Sequence, residues 1–187
     1  MFTLGIIEIV GEPGTGKTNF ILSHIKDRNA IYITNSIINR NLYTLSHLWI
    51  KKLNTFLELK GFILLELDKI VKKEQLKVVI IDSLDKFLYT EENPRNFSKD
   101  LVKMVQCLRN CVFKYKICVI IVNNKFKRLV ENFEHYNKYL GYNWLYTANK
   151  TFTCKKISKE EFHCVDTNNN VICKYKVMGF GEIFLYK

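Results

Sequence analysis

The sequence predicts an α/β domain with a mainly parallel central sheet, flanking helices and antiparallel strands near its C-terminus. Three observations predict this class. Short β-branched apolar runs alternate with helical patterns over about the first 145 residues, a glycine-rich loop follows the first run, and the later runs are separated only by turn residues. Strands that alternate with helices form right-handed βαβ units and a parallel sheet, whereas strands joined by turns pair antiparallel.

The parallel part rests on four apolar runs and on three segments with helical spacing between or beside them. The predicted strands are Leu4–Val10, Ala30–Thr34, Val78–Asp82 and Cys118–Val122. The helical segments are Lys17–Lys26, one with Leu42, Leu45, Trp49, Leu53 and Phe56 on one face, and one with Leu101, Val105, Leu108 and Val112 on one face. Buried parallel strands are continuously apolar, and an amphipathic helix repeats its apolar residues every three or four positions.

After about residue 144 the runs become short and closely spaced. They are Trp144–Thr147, Thr151–Lys155, Phe162–Val165, Val171–Lys176 and Ile183–Tyr186. Turn residues such as Asn168, Asn169, Asn170 and Gly179 separate them, which predicts an antiparallel meander that extends the same sheet. We find no linker, repeat or low-complexity block, so we expect residues 1–187 to form one domain without an N-terminal helical domain.

Composition narrows the function classes. With 48% hydrophobic residues among 187, the chain can fill one core, and its net charge of +11 is typical of proteins with a polyanionic partner. A solvated basic surface that reflects codon bias is the alternative.

The six cysteines contain no C-x-x-C pair, so we interpret them as free thiols in a reducing compartment and expect no metal site built from them. Nothing resembles a signal peptide or a membrane span, and we expect an intracellular protein without a membrane partner.

The strongest motif is a phosphate-binding loop directly after the first strand. Its residues are Gly11, Glu12, Pro13, Gly14, Thr15, Gly16, Lys17 and Thr18, which match G-x-x-x-x-G-K-[ST] without a deviation. The glycines let backbone N–H groups and a helix N-terminus point at phosphates. Lys17 would reach the β- and γ-phosphates, and the Thr18 hydroxyl would bind Mg²⁺. The loop therefore predicts that ATP or another nucleoside triphosphate is bound with Mg²⁺.

A second motif supports the first. The run Val78–Asp82 places an acidic residue at the carboxyl end of a buried strand, where open parallel sheets bind ligands. Such a run is weak by itself, but after a complete P-loop it indicates the aspartate that helps to hold Mg²⁺. We therefore expect Lys17 and Asp82 to be the catalytic pair and Thr18 and Asp82 to be the metal-binding pair.

These motifs resemble the ATPase core of the eukaryotic and archaeal RecA-like recombinases and their paralogues. The resemblance is carried by Gly5–Asn19, Ala30–Ile33, Ile81–Ser83, Val119–Asn124, Leu140–Trp144 and Thr151–Lys156. It implies an ATP-binding protein that contacts single-stranded DNA, assists homologous recombination and DNA repair, and works in the nucleus with other recombinase or paralogue subunits. It also adds Asn19 to the nucleotide-binding residues.

Two positions depart from the pattern that the resemblance implies. Ser36 stands where active members have a glutamate that orients water, so we expect weak ATP hydrolysis unless Glu12 supplies the carboxylate. Asn124 stands where the family has a glutamine that couples the nucleotide to the DNA-binding loop. Together with the expected lack of an N-terminal domain, these departures favour a paralogue subunit of a hetero-complex.

A basic segment suggests where DNA binds. Seven basic residues and no acidic residue lie between Leu101 and Val130. The resemblance places the second DNA-binding loop at Lys125, Phe126, Lys127 and Arg128, and alternating cations and aromatic rings suit a single strand. Phe126 could instead pack inward with the lysines as a solvated rim. The first loop, near Thr90–Asn96, carries two glutamates and one arginine, so we expect it to contribute little.

Two other functions stay open at this point. The first is another P-loop enzyme, such as a nucleoside kinase or a GTPase, although Asn124-Lys125-Phe126-Lys127 lacks the aspartate of a guanine-reading N-K-x-D motif. The second is a degenerate structural subunit that acts through protein contacts alone.

Overall fold

The computed structural model describes residues 2–25, 27–37, 46–88, 94–124, 147–177 and 183–186. Its nine strands form one sheet in the order β3-β2-β4-β5-β1-β6-β7-β8-β9. They are β1 Gly5–Gly11, β2 Ala30–Thr34, β3 Leu48–Lys52, β4 Val78–Asp82, β5 Cys118–Asn124, β6 Lys150–Lys156, β7 Glu161–Val165, β8 Val171–Val177 and β9 Ile183–Tyr186.

Helices connect the parallel strands. They are α1 Lys17–His24, α2 Phe56–Gly61, a π-helical turn Phe62–Glu66, α3 Leu67–Lys73, α4 Leu84–Leu88 and α5 Pro94–Tyr115. The predicted apolar face of α5 is confirmed, since Leu101, Val105 and Leu108 are all buried. Within the described ranges, none of the helices has the length and hydrophobicity needed to cross a bilayer.

The predicted α/β class is confirmed by the pairing of the strands and by a core on both sheet faces. β1 pairs parallel with β5 and β6, and β4 pairs parallel with β2 and β5. One face packs against α2, α3, α4 and α5 through residues such as Ile63 and Leu108. The other face packs against α1 through residues such as Phe20. Coverage on both faces explains why β4 and β5 are continuously apolar.

The C-terminal strands extend the same sheet, as predicted. β6, β7, β8 and β9 pair antiparallel in sequence order. β6 itself runs parallel to β1, so it joins the parallel half to the meander. The predicted strand at Trp144–Thr147 is wrong at its last residue, since Thr147 lies in a turn, and its first three residues lie outside the described part of the chain.

The predicted helical face with Trp49, Leu53 and Phe56 is wrong. Residues 48–52 form β3, which pairs parallel with β2, and α2 begins only at Phe56. Pairing with the sheet outweighed the helical spacing of the apolar residues, while Leu42 and Leu45 lie outside the described residues. The missed signal is a helix N-cap: the Thr55 hydroxyl accepts a hydrogen bond from Glu58 N at 3.2 Å, and the Glu58 carboxylate accepts one from Asn54 N at 2.8 Å.

Candidate phosphate-binding site

The predicted P-loop forms a closed turn between β1 and α1. Gly14 and Gly16 have φ angles of 78° and 69°, which a residue with a Cβ adopts only under strain. The Thr15 hydroxyl donates a hydrogen bond to the Glu12 carbonyl at 2.8 Å and thereby closes the loop. Glu12, Pro13 and Gly14 are exposed at its tip, so the backbone there is open to a ligand.

Gly11 sits where the loop meets the sheet. A Cβ on Gly11 would lie 2.7 Å from the Cys154 carbonyl oxygen and 2.8 Å from the Thr15 hydroxyl oxygen. Cys154 is the β6 partner of Gly11, while Asn124 is its β5 partner. The first glycine of the motif is therefore required for close packing at the base of the loop.

Lys17 lies at the centre of the loop. Its ammonium group donates hydrogen bonds to the carbonyls of Gly11 and Glu12, both at 2.9 Å, and the residue is 7% exposed. Burial lowers the pKa of Lys17, while the nearby charge of Asp82 acts in the opposite direction. A buried ammonium in a glycine-rich loop is suited to bind phosphate oxygens.

The two residues predicted to hold Mg²⁺ are in contact. The Thr18 hydroxyl donates a hydrogen bond of 2.6 Å to Asp82 Oδ2. The Tyr32 hydroxyl donates a second bond of 2.5 Å to the same oxygen. Burial, followed by the negative charge of Asp82, raises the pKa of Tyr32, which therefore stays protonated as a donor.

Sequence reasoning missed Tyr32. A signal was present, because a tyrosine in an otherwise apolar buried strand has to find a partner for its hydroxyl. Since Tyr32 is 4% exposed on β2, next to β4, Asp82 is within its reach.

Asn124, the last residue of β5, contacts the residues that follow Asp82. Its side-chain amide donates to Asp85 Oδ2 at 3.0 Å and approaches the Ser83 hydroxyl at 3.3 Å. The Asp82–Ser83 peptide bond is cis. Asn124 thus lies on β5, between the P-loop strand β1 and the end of β4.

Ser36 is part of a hydroxyl–ammonium pair. Lys86, on α4, donates a hydrogen bond of 2.8 Å to the Ser36 hydroxyl. The positive charge of Lys86 contributes to lowering the pKa of Lys17, so both cations act on the same region. The position at which the resemblance expects a carboxylate therefore carries a neutral acceptor and a cation instead.

An aromatic cluster beneath the loop was not predicted as part of the site. The Tyr175 hydroxyl of β8 donates a 2.7 Å hydrogen bond to the Thr15 carbonyl, and Tyr175 is fully buried. Its ring stacks on Phe162, with 5.5 Å between centroids, and lies 5.1 Å from Phe20. The C-terminal strands therefore support the P-loop from below.

Three cysteines belong to the same buried cluster as these aromatic rings. Cys154 pairs with Cys164, and Cys164 pairs with Cys173, across β6, β7 and β8. All three are free thiols, as are the other cysteines within the described ranges. In the same part of the chain, no group of three or more histidine, cysteine or acidic residues is arranged to hold a metal ion.

The residues of the loop fit a nucleotide with Mg²⁺. A Cβ placed on Gly14 would meet no atom within 4 Å, so there is open space at the tip of the loop. Helix α1 begins at Lys17, directly after the loop. Thr18 and Asp82 provide the hydroxyl and carboxylate oxygens that Mg²⁺ prefers. Asn19 is half-buried in the first turn of α1.

The predicted DNA-binding residues cannot be placed. Lys125, Phe126, Lys127 and Arg128 lie outside the described residues, as does Leu140–Trp144. The predicted first loop is wrong at its end, because residues 94–96 already belong to α5. Pro94 starts that helix, and proline is favoured at a first helical position.

No protein-family model matches the sequence, and no curated protein matches it either. Many solved structures are similar in fold, and two of them illustrate the likeness. A KaiC-like protein from the hyperthermophilic archaeon Pyrococcus horikoshii OT3 has a TM-score of 0.67 at 14% identity, over 99% of this chain and 90% of that one. The RadB recombinase has a TM-score of 0.74 at 17% identity, over 97% of this chain and 90% of that one. The chain therefore has the RecA-like α/β fold.

Proposed function

We propose that the protein is an ATP-binding, RecA-like recombinase paralogue that assists homologous recombination and DNA repair within a hetero-complex. The single observation that carries the proposal is the contact between Thr18 of the P-loop and Asp82 at the end of β4. This contact unites the two halves of a Mg²⁺·nucleotide site. The fold shared with the RadB recombinase supports a recombination role over other P-loop chemistries.

In this proposal the described residues bind and orient the nucleotide. The loop backbone and Lys17 hold the phosphates, while Thr18 and Asp82 hold Mg²⁺, which neutralises phosphate charge when it is bound. Tyr32 fixes the orientation of Asp82 through its 2.5 Å hydrogen bond. Asn124, bonded to Asp85, is the proposed link to the DNA-binding loop at Lys125–Arg128.

We also propose that ATP hydrolysis is weak. The Ser36 hydroxyl accepts a hydrogen bond from Lys86 and cannot take a proton from water as a carboxylate does. The same observation favours a second candidate function, a structural subunit that holds nucleotide without turning it over. The proposed nuclear location and DNA-repair role follow from the resemblance to the recombinases, and single-stranded DNA is the proposed ligand.

The test is Mg²⁺·ATP binding and turnover by the purified protein, with and without a single-stranded oligonucleotide. Lys17→Ala should abolish binding, while Lys159→Ala, at an exposed lysine on the β6–β7 turn, should leave it unchanged. Slow turnover that DNA stimulates supports the recombinase paralogue. Binding without turnover supports the structural subunit, and transfer of phosphate to a nucleoside would identify a kinase instead.

A further inference from the structure

A second basic site lies at the end of the sheet opposite the P-loop. It is a cleft of about 230 Å³ lined by three cations, Arg28, Lys77 and Lys116, and by Phe2, Thr3, Leu4 and Cys118. Lys77 directly precedes β4, and Lys116 precedes β5, so both lie where these parallel strands begin. The P-loop follows the carboxyl end of β1, which is the other edge of the sheet.

Backbone hydrogen bonds hold the segments that carry these cations together. Lys77 N donates to the Asn29 carbonyl at 2.8 Å, next to Arg28, and Cys118 N donates to the Lys77 carbonyl at 2.9 Å. Lys116 directly follows the last residue of α5 and has a φ of 54°, the left-handed conformation in which helices commonly end. The fold therefore holds the backbone segments that carry the three cations close together.

The cleft carries uncompensated positive charge. Its lining contains Arg28, Lys77 and Lys116 but no carboxylate. The ion pairs within the described ranges use other cations, such as Lys51, Lys60, Lys73 and Lys114. Three like charges around one cleft repel each other, and an anion such as a phosphate group relieves that repulsion. Because a water molecule occupies about 30 Å³ in the liquid, the cleft has room for a phosphate group and several waters.

An exposed aromatic ring lies beside one of these cations, Lys116. Phe113, near the end of α5, is 79% exposed, and Lys116 Nζ lies 4.6 Å from its ring centroid. An exposed ring next to phosphate-binding cations is the combination that binds a single strand, since charge follows the backbone while a base stacks on the ring. Free polyphosphate has no base that could stack on such a ring.

We propose that this cleft, with Phe113, binds a single-stranded nucleic acid through two or three backbone phosphates and one stacked base. The site is separate from the P-loop and does not require the proposed nucleotide binding. It also differs from the proposed DNA-binding residues Lys125–Arg128, which follow β5, whereas Lys116 precedes it. Binding here is independent of base sequence, because the described lining contributes three charges and, apart from the Thr3 hydroxyl and the Cys118 thiol, no polar side chain that could read base edges.

The experiment measures binding of a fluorescent oligothymidylate to the full chain by anisotropy, without nucleotide and over a range of salt concentrations. The test variant is Lys77→Gln/Lys116→Gln. The matched control is Lys69→Gln/Lys159→Gln, which removes the same charge at two exposed positions elsewhere. Each phosphate contact contributes about 0.7 to the slope of log affinity against log salt for single strands. The test variant should therefore lose about 1.4 from the slope, while the control should change it little.

A third variant separates stacking from charge. Phe113→Ala should weaken binding roughly 5- to 150-fold without changing the salt slope, because a stacked base is lost but no phosphate contact is. Melting curves establish that each variant is folded, and ATP binding should be unchanged in all three. The proposal is overturned if the test and control variants lose the same slope, or if neither loses any. It is also overturned if tripolyphosphate raises the melting temperature of wild type but not of the test variant, while oligonucleotide binding is unaffected.

Discussion

The bond between Tyr32 and Asp82 gives the sharpest prediction for the nucleotide site. Tyr32→Phe removes a donor 2.5 Å from a carboxylate oxygen and leaves the ring in place. A hydrogen bond to a charged group contributes about 1.5–3 kcal/mol to stability. Since Asp82 is only half-buried, water replaces part of the lost bond, and we expect the lower end, about 1.5–2 kcal/mol.

This loss converts to a measurable change in melting temperature. Unfolding entropy is about 2.1 cal/mol/K per residue near 60 °C, which for 187 residues is roughly 0.4 kcal/mol/K. We therefore expect Tyr32→Phe to lower the melting temperature by about 4–5 °C without nucleotide. Mg²⁺·ATP should also bind more weakly, because Asp82 loses the bond that orients it.

A double-mutant cycle isolates the pair. In the Asp82→Asn background the acceptor is neutral, and a neutral hydrogen bond contributes only about 0.5–1.5 kcal/mol. Tyr32→Phe should therefore cost less there than in wild type, when both are measured by urea denaturation. A cost below about 0.5 kcal/mol in wild type, or an equal cost in both backgrounds, would falsify the assignment of Tyr32 as the residue that orients Asp82.

Three further predictions test the pH response, the base of the P-loop and the Thr55 cap of α2. Burial lowers the pKa of His24, so the unfolded state binds more protons near pH 6 and stability should fall as pH drops from 7.5 to 5.5. In His24→Gln, the urea midpoint should lose that dependence, and an unchanged slope would contradict the assignment. Gly11→Ala should lower stability by about 1–3 kcal/mol, because its Cβ would lie 2.7 Å from the Cys154 carbonyl oxygen, whereas Gly61→Ala, where a Cβ meets nothing within 4 Å, should not. Thr55→Ala should cost about 1 kcal/mol in denaturant titrations, since Glu58 N loses its acceptor; a cost near zero would show that water replaces the cap.

Local sequence patterns were sufficient to predict the structural features that depend on neighbouring residues in the chain. The P-loop and the strand that ends at Asp82 were predicted from local motifs, and the parallel sheet brings Thr18 of the loop into contact with Asp82. Continuous apolar runs also predicted β2 and β4 at their observed bounds.

Local sequence patterns did not predict the structural features that depend on contacts between residues far apart in the chain. Residues 48–52 have helical spacing, but pairing with β2 makes them a strand. Likewise, the bond from Tyr175 to the Thr15 carbonyl joins residues 160 positions apart, and no local pattern contains it. Tyr32 lies between these cases, since its burial demanded a partner but did not identify Asp82 as that partner.

The pair formed by Ser36 and Lys86 has a consequence for how the protein uses its nucleotide. In the proposed nucleotide complex, Lys86 would add a cation near the phosphates, and a cation that attracts the ground state and the transition state equally gives uniform binding. Uniform binding of this kind increases affinity without increasing turnover. Because Lys86 also acts electrostatically on Lys17, the two cations favour retention of a highly charged triphosphate. For the proposed nucleotide-bound subunit, this one departure from the recombinase pattern predicts slow hydrolysis together with tight binding.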